Sequence, residues 1–497
     1  MMNAGSVHGL HLAATGRMLE TAPVQPMTMR DNREVSYVSE RPREASHGAL
    51  PRGPHSLSRA EVAANQRRRM IDATIDVVGE KGYAELTVSD VIKRAGVSRR
   101  AFYEHFSNRE ECFLATYDSI MEESSRAVAE AFGGADGLPK NAQEAIEEIF
   151  RRALRRPDAM RVLMVEIGAA GPEGISRREQ LGVAYEAALR KSLQLPPGPG
   201  PIPNPVLRGV IGGIGAVLYS HVQSGKRKQL MQIIPELVAW ATSYWPAPPE
   251  LMGLTDPAPQ TLPPNRIGGR APGTLSLGAA SSRRRRLVGG ESGVSPIYVA
   301  HSQRERILDA IANLTAANGY AALTVEGIAA EAAISLQAFY EHFPSKEDAF
   351  LVAYEVGHGK GLALVERAFD SQTDWRLGVR AGVAALFDYL ASEPSFAHMA
   401  LVDVLAASDR TTERATKGKT SYAQMLIPGF NEAPNRERPP DVAVEAIAGG
   451  LFELCLHHAL QRRMHELPLM VPRATYFALA PFIGAEEAGK VATAEDA

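Results

Sequence analysis

Residues 86–111 read LTVSDVIKRAGVSRRAFYEHFSNREE, and residues 323–348 read LTVEGIAAEAAISLQAFYEHFPSKED. The two stretches lie 237 positions apart and align without a gap. Between 82–117 and 319–354, 18 of 36 positions are identical, which makes internal repetition the first fact to explain. The register holds far downstream: Gly212 and Gly213 match Gly449 and Gly450, His221 matches His458, and Pro235 matches Pro472. The duplication therefore covers whole domains. Only the middle of each copy, about 130–205 against 367–440, has drifted.

The first copy shows what the repeat builds. Ile71, Ile75 and Val78 recur at helical spacing, and Lys81 followed by Gly82 ends that helix with a basic last turn and a C′ glycine. Thr87 is placed as an N-cap, with Asp90 three residues on, and Val88, Val91 and Ile92 supply an apolar side. Gly96 then permits a left-handed turn and Ser98 caps the next helix. Two short helices joined by a tight glycine turn make a helix-turn-helix. In its second helix Phe102 and Phe106, four apart, share a face and belong to the core. Arg99 and Tyr103 lie on another face, with Ser98 and Arg100 at the N-terminal end, where such helices reach base edges. Arginine suits guanine, and hydroxyls and imidazole suit phosphate. Asn108 with Glu111 caps a further helix that carries Arg109 in its first turn, a phosphate clamp. The run Arg67-Arg68-Arg69 reads as a solvated helix start or as an arm to the DNA backbone.

These residues resemble the DNA-binding domain of TetR-type transcriptional regulators, whose pattern is a Thr-led helix, an A-G-V-S turn, an aromatic F/L-Y-x-H-F end and an S/N-K-E start to the following helix. Residues 86–111 meet it nearly throughout and 323–348 with changes. The resemblance covers about 60 residues of each copy. By position it implies that Thr87, Ser98, Arg99, Arg100, Tyr103, His105 and Arg109 face DNA in copy one. In copy two it implies Thr324, Ser335, Gln337, Tyr340, His342 and Lys346. It further implies an all-α chain of two tandem units, each with a helical ligand-binding and dimerisation domain behind its helix-turn-helix. The implied function is a regulator, usually a repressor that leaves its double-stranded operator when a small effector binds.

Composition bounds the rest. At 497 residues the chain is too long for one core. Residues 1–57 and 246–296 are rich in Pro, Gly, Ser and Arg and read as a disordered extension and a linker. Helix-turn-helix domains are expected at 58–120 and 297–361, helical regulatory domains at 121–245 and 362–485, and a tail at 486–497. Two cysteines exclude a disulfide scaffold and fit a reducing cytoplasm. The sequence reads as having no 18-residue apolar run, so no membrane span is expected. His457, His458 and His465 lack a third ligand at useful spacing, so no metal is assigned. No P-loop, G-x-S-x-G or Rossmann fingerprint is present, which argues against an enzyme and a cofactor.

The copies differ where it matters. Residues 58–118 hold ten Lys/Arg and ten Asp/Glu, net zero, whereas 296–355 hold three and eight, net −5. Phosphate attraction dominates non-specific affinity, so copy two should bind DNA more weakly. Ala333 replaces Gly96, and Leu336-Gln337 replace Arg99-Arg100. The linker's Arg283–Arg286 run is either a basic arm or a solvated tether. A linker of that length spans ~35–40 Å, enough for an internal pseudo-dimer as well as for a homodimer of chains. The Gly-Gly segments at 209–222 and 446–460 are the expected pairing helices, since glycine lets backbones approach. The reading from another class is an interaction scaffold in which one or both helix-turn-helix units have lost DNA.

Overall fold

The computed structural model describes residues 58–132, 138–192, 203–224, 227–252, 254, 296–432 and 438–494, and every regular element among them is helical. The expected extension at 1–57 and the run Arg283–Arg286 lie outside the described residues. Copy one supplies α1 (Arg59–Lys81), α2 (Val88–Ala95), α3 (Arg99–His105), α4 (Arg109–Phe132), α5 (Leu138–Arg155), α6 (Pro157–Met164), α7 (Gly171–Ser192), α8 (Asn204–Gln223) and α9 (Ile234–Thr242). Copy two supplies α10 (Pro296–Asn318), α11 (Val325–Glu331), α12 (Leu336–His342), α13 (Lys346–Asp370), α14 (Trp375–Ser392), α15 (Pro394–His398), α16 (Asp409–Ala423), α17 (Ala443–Leu460), α18 (Val471–Ile483) and α19 (Ala485–Thr493). Each copy is thus a helix-turn-helix domain followed by a helical domain.

Local signals act as the residues dictate. Gly82 ends α1 at φ 78°, and Thr87 and Asp90 form a complete capping box on α2. Gly96 is left-handed at φ 61°, and Ser98 accepts the Ala101 N–H at 3.1 Å. Phe102, Phe106, Phe113 and Tyr117 are buried with Met70, Val78 and Val91. Val162, Leu163 and Ile167 join them, so α6 completes the core of the first helix-turn-helix module.

Copy two makes the same turn without glycine. Ala333 sits at φ 52°, a conformation in which its Cβ crowds the carbonyl. Ala333→Gly is expected to raise stability by about 0.5–1 kcal/mol, and Gly96→Ala to lower it by a similar amount. Denaturant midpoints of the two variants check both signs.

The copies pack on each other through α8 and α17. A Cβ on Gly212 would collide with Glu453, and one on Gly449 with Ala216, the residue 237 positions before 453. A Cβ on Gly213 would meet the Ala446 carbonyl, and one on Gly450 the Gly209 carbonyl, again equivalent positions. This reciprocity is the signature of a two-fold, here a pseudo-two-fold inside one chain. Around it α9 and α18 bring aromatic rings together: Tyr244 stacks on Phe477 at 4.9 Å, and the Tyr244 and Tyr476 hydroxyls donate to the Phe477 and Tyr244 carbonyls. Contrary to the expectation of no long apolar run, α8 and α17 are by length and a mean hydropathy of 1.2 apolar enough to cross a membrane, and half or more of each is buried inside the fold. Their apolar character is explained by their mutual contact.

Two segments depart from their expected roles. Residues 246–252 were assigned to the linker, yet Ala247 and Leu251 are buried. Residues 486–493 were assigned to a tail, yet they continue α19, with Ala488 and Ala492 fully buried. The two segments pack together: a Cβ on Gly489 would strike Pro248. Each is too short to show a period, and its apolar residues find their partner only in the fold.

Candidate nucleic-acid interface

The outward face of α3 carries Arg99, Arg100, Tyr103 and Glu104, held out by the burial of Ala101 and Phe102 on the opposite side. Tyr103 is 49% exposed, with the Arg99 guanidinium 5.7 Å from its ring centre. Arg100 pairs with Glu104 at 2.9 Å, both well exposed. Such a water-screened pair is worth only about 0.2–1 kcal/mol, so a phosphate or guanine can displace Glu104. In copy two, α12 presents Leu336, Gln337 and Tyr340, with Tyr340 57% exposed and Gln337 donating to Glu341 at 3.1 Å.

Several of the predicted contacts are already engaged within the fold. Thr87 donates its hydroxyl to Asp90 while accepting the Asp90 N–H. Thr324 accepts from the Gly327 N–H at 3.0 Å, and glycine has no side chain to complete a box. Ser335 caps α12 through the Ala338 N–H at 3.1 Å. His105 packs its ring edge toward Phe106, and His342 Nε2 contacts Gln303 Oε1 at 3.2 Å. Burial first, then the Arg304 charge, hold His342 below the usual imidazole range. Arg109 donates to the Ala84 and Leu86 carbonyls at 3.2 and 2.8 Å and covers the Tyr83 ring. Lys346 repeats this with the Leu323 carbonyl at 2.8 Å and the Tyr320 ring. Both cations therefore staple a helix start to the loop before α2 or α11.

The arginines of α1 have a role that sequence reading missed. Arg69 donates to the Ala95 and Gly96 carbonyls, and Arg306 to those of Ala332 and Ala333, clamping each helix-turn-helix turn. Arg67 and Arg304 lie over the Phe106 and Phe343 rings. The signal was present in the repeat: Arg304, Arg306 and Lys346 are the three Lys/Arg of 296–355, and all three have these structural contacts. Copy two has kept these three structural cations, while Leu336 and Gln337 stand where copy one presents Arg99 and Arg100.

The loop after α1 is also gripped from the helical domain that follows it. The buried Glu166 carboxylate accepts the Tyr83 N–H at 2.8 Å and pairs with Arg161 at 2.8 Å. At the equivalent positions Asp403 accepts the Tyr320 N–H at 3.0 Å and meets His398 Nδ1 at 3.0 Å. In copy two, α13 begins in the helix-turn-helix domain and ends on the wall of a cleft of about 640 Å³. Leu362, Val365, Phe369 and Met425 give that cleft its apolar lining, and Lys417 and Glu366 line it as well. Among the described residues no group of three His, Cys, Asp or Glu is placed to hold a metal. His457 meets Glu179, and His458 donates to the Leu454 carbonyl.

Two capped, aromatic-cored helix-turn-helix modules, each continued by helices, define a tandem helix-turn-helix protein. Residues 70–116 and 307–353 each match the family described as bacterial regulatory proteins, tetR family. The chain thus carries two tandem copies of that family's DNA-binding domain. It is 40% identical over 77 residues to the HTH-type transcriptional regulator CymR of Pseudomonas putida, covering 15% of this chain and 38% of CymR. It is 29% identical over 92 residues to the uncharacterized HTH-type transcriptional regulator YezE of Bacillus subtilis, covering 18% and 45%. Among solved structures, the fatty acid degradation regulator FadR from Bacillus halodurans aligns with 35% of this chain and 94% of its own, at 16% identity and a TM-score of 0.32. The chain spans less than half the length of these two curated relatives.

Proposed function

We propose that the chain is a sequence-specific DNA-binding transcriptional regulator whose two non-identical helix-turn-helix units read an asymmetric operator. The observation that carries this is the exposed Arg99-Arg100-Tyr103 face on a capped recognition helix whose turn is clamped by Arg69. Copy one supplies the phosphate attraction and the guanine-seeking arginines. Copy two, with Leu336 and Gln337 at the same positions, suits an A·T-rich half-site, because Gln pairs with adenine and an apolar side chain with the thymine methyl. The internal pairing of copies places both readers in one chain, so a second chain is not needed for a two-part operator.

The regulator acts as a ligand-responsive repressor in this reading. Support comes from the cleft against α13 and from the carboxylates of Glu166 and Asp403, which tie the regulatory helices to the loops beneath each reader. An effector with an apolar body fits the cleft lining. A scaffold role is favoured for copy two alone, by the engagement of all three of its cations.

The test is a footprint of the full-length protein on DNA upstream of its own gene, with Tyr103→Ala and Tyr340→Ala in parallel. The expected site is asymmetric. Tyr103→Ala weakens binding by roughly tenfold or more, and Tyr340→Ala erases protection at one edge. Unchanged binding by Tyr103→Ala would sink copy one as the reader. A footprint indifferent to Tyr340→Ala would make copy two an interaction domain, and a perfect palindrome bound by two chains would end the asymmetric reading.

A further inference from the structure

The pseudo-two-fold relates residues 178 and 415, 179 and 416, 208 and 445, 216 and 453, and 220 and 457. On one side of it these positions form ion pairs between the copies. Arg178 of α7 meets Glu453 of α17 at 2.5 Å, with only 13% and 22% of the side chains exposed. Glu179 meets His457 at 2.8 Å and also Arg208, which in turn meets Glu186 at 2.7 Å. Burial pushes the Glu179 carboxyl up, but His457 and Arg208 more than offset this and hold it down at about 2. On the other side the equivalent residues are Ala415 and Ala216, Thr416 and Ser220, with Glu445 in the place of Arg208. Among the described residues the ionic half of the interface exists once, not twice.

We infer that this surface encodes pairing of copy one with copy two and rejects pairing of copy one with itself. In a self-pair of copy one, Arg178 would face Ala216 on both sides of the axis and Glu179 would face Ser220. Two largely buried arginines would lose their partners, the costly way to break a buried pair. In a self-pair of copy two, Glu453 would face Ala415 on both sides. There Lys419, over the Phe452 ring at 4.7 Å and within electrostatic reach of Glu453 and Glu445, offers some relief. The exclusion is therefore stricter for copy one. The partner this surface fits is a second-copy domain, from the same chain or by reciprocal exchange from another. Ancestral two-fold geometry is kept by the glycines, while charge has made the two faces different.

The experiment inserts a specific protease site after Gly278 in the full-length protein and follows the cleaved halves by native mass spectrometry and dilution. The wild type is expected to stay a 1:1 complex of the two halves. Arg178→Glu or Glu453→Arg alone should weaken the complex by about tenfold or more, and the double exchange should restore it to within about threefold. If a single variant does not fold, the double variant still decides: recovery of the 1:1 complex supports the pairing code, and its absence overturns it. Self-association of the first half as tight as the mixed complex, or single variants indistinguishable from wild type, overturns it too. DNA binding plays no part in the readout, so the inference stands or falls apart from the proposed function.

Discussion

Gly213→Val is expected to be among the most damaging single substitutions in the chain, lowering stability by about 3 kcal/mol or more. The reason is backbone proximity. A Cβ at 213 would lie 2.5 Å from the Ala446 carbonyl oxygen and 2.5 Å from Trp240 Cη2. Neither neighbour is the free end of a flexible side chain: one is backbone inside α17, and the other is a fully buried indole. The helices must separate, and with them the Tyr244–Phe477 stack and both tyrosine–carbonyl bonds. Gly450→Val should do the same from the other side of the axis. Gly359 is the control, a helical glycine of α13 with nothing within 4 Å of its added Cβ. Gly359→Ala should be neutral or stabilise by up to ~1 kcal/mol through helix propensity. Denaturant midpoints and the protease sensitivity of α8 and α17 measure all three. A Gly213→Val protein as stable as Gly359→Ala would refute the close helix approach.

Acid should weaken the protein before its carboxylates begin to protonate. Burial holds the His458 imidazole down at about 4, with the His457 charge adding to it and the Leu454 carbonyl opposing. An unfolded histidine titrates near 6.5. Between those values the unfolded chain binds a proton that the folded chain refuses, so stability is full above about 6.5 and falls as pH drops toward 4. The loss from this residue between pH 7 and 5 is about 2 kcal/mol. His342, also held low, adds in the same direction. Glu179 has the opposite chemistry in a different window: its stabilisation is present above the usual carboxylate range and is lost as pH falls toward about 2. Chemical denaturation at pH 7, 6 and 5 gives the slope, and His458→Leu should remove most of it. A slope unchanged in that variant would place the titrating group elsewhere.

Much of the helix-turn-helix was legible because its signals are local. Thr87 with Asp90, Gly96 and Ser98 each act on backbone within four residues, and the i to i+4 spacing of Phe102 and Phe106 fixes which face is core. The pairing helices were legible for a related reason, since repeated Gly-Gly dipeptides in apolar helices have few other uses. The reading failed where the meaning of a residue depends on a distant one. Arg109 and Lys346 looked like free cations at helix starts, but the carbonyls they bind lie 23 to 25 residues back. Arg69 looked like a solvated charge for want of knowing that Ala95 and Gly96 pass beside it.

By itself, then, the amino-acid order determined the duplication, the helical class, the turn and caps of both helix-turn-helix units, and the contrast in charge between them. These are properties of composition and short-range geometry, and no contact map is needed to see them. Tertiary structure alone decided which cations are left for a ligand, that residues 246–252 and α19 close on each other, and that Glu166 and Asp403 grip the loops after the first helix of each copy. It alone showed that the ionic half of the inter-copy surface is built once. Charge pairing and burial depend on separations of a few ångströms between residues hundreds of positions apart, and only the folded chain brings Arg178 to Glu453.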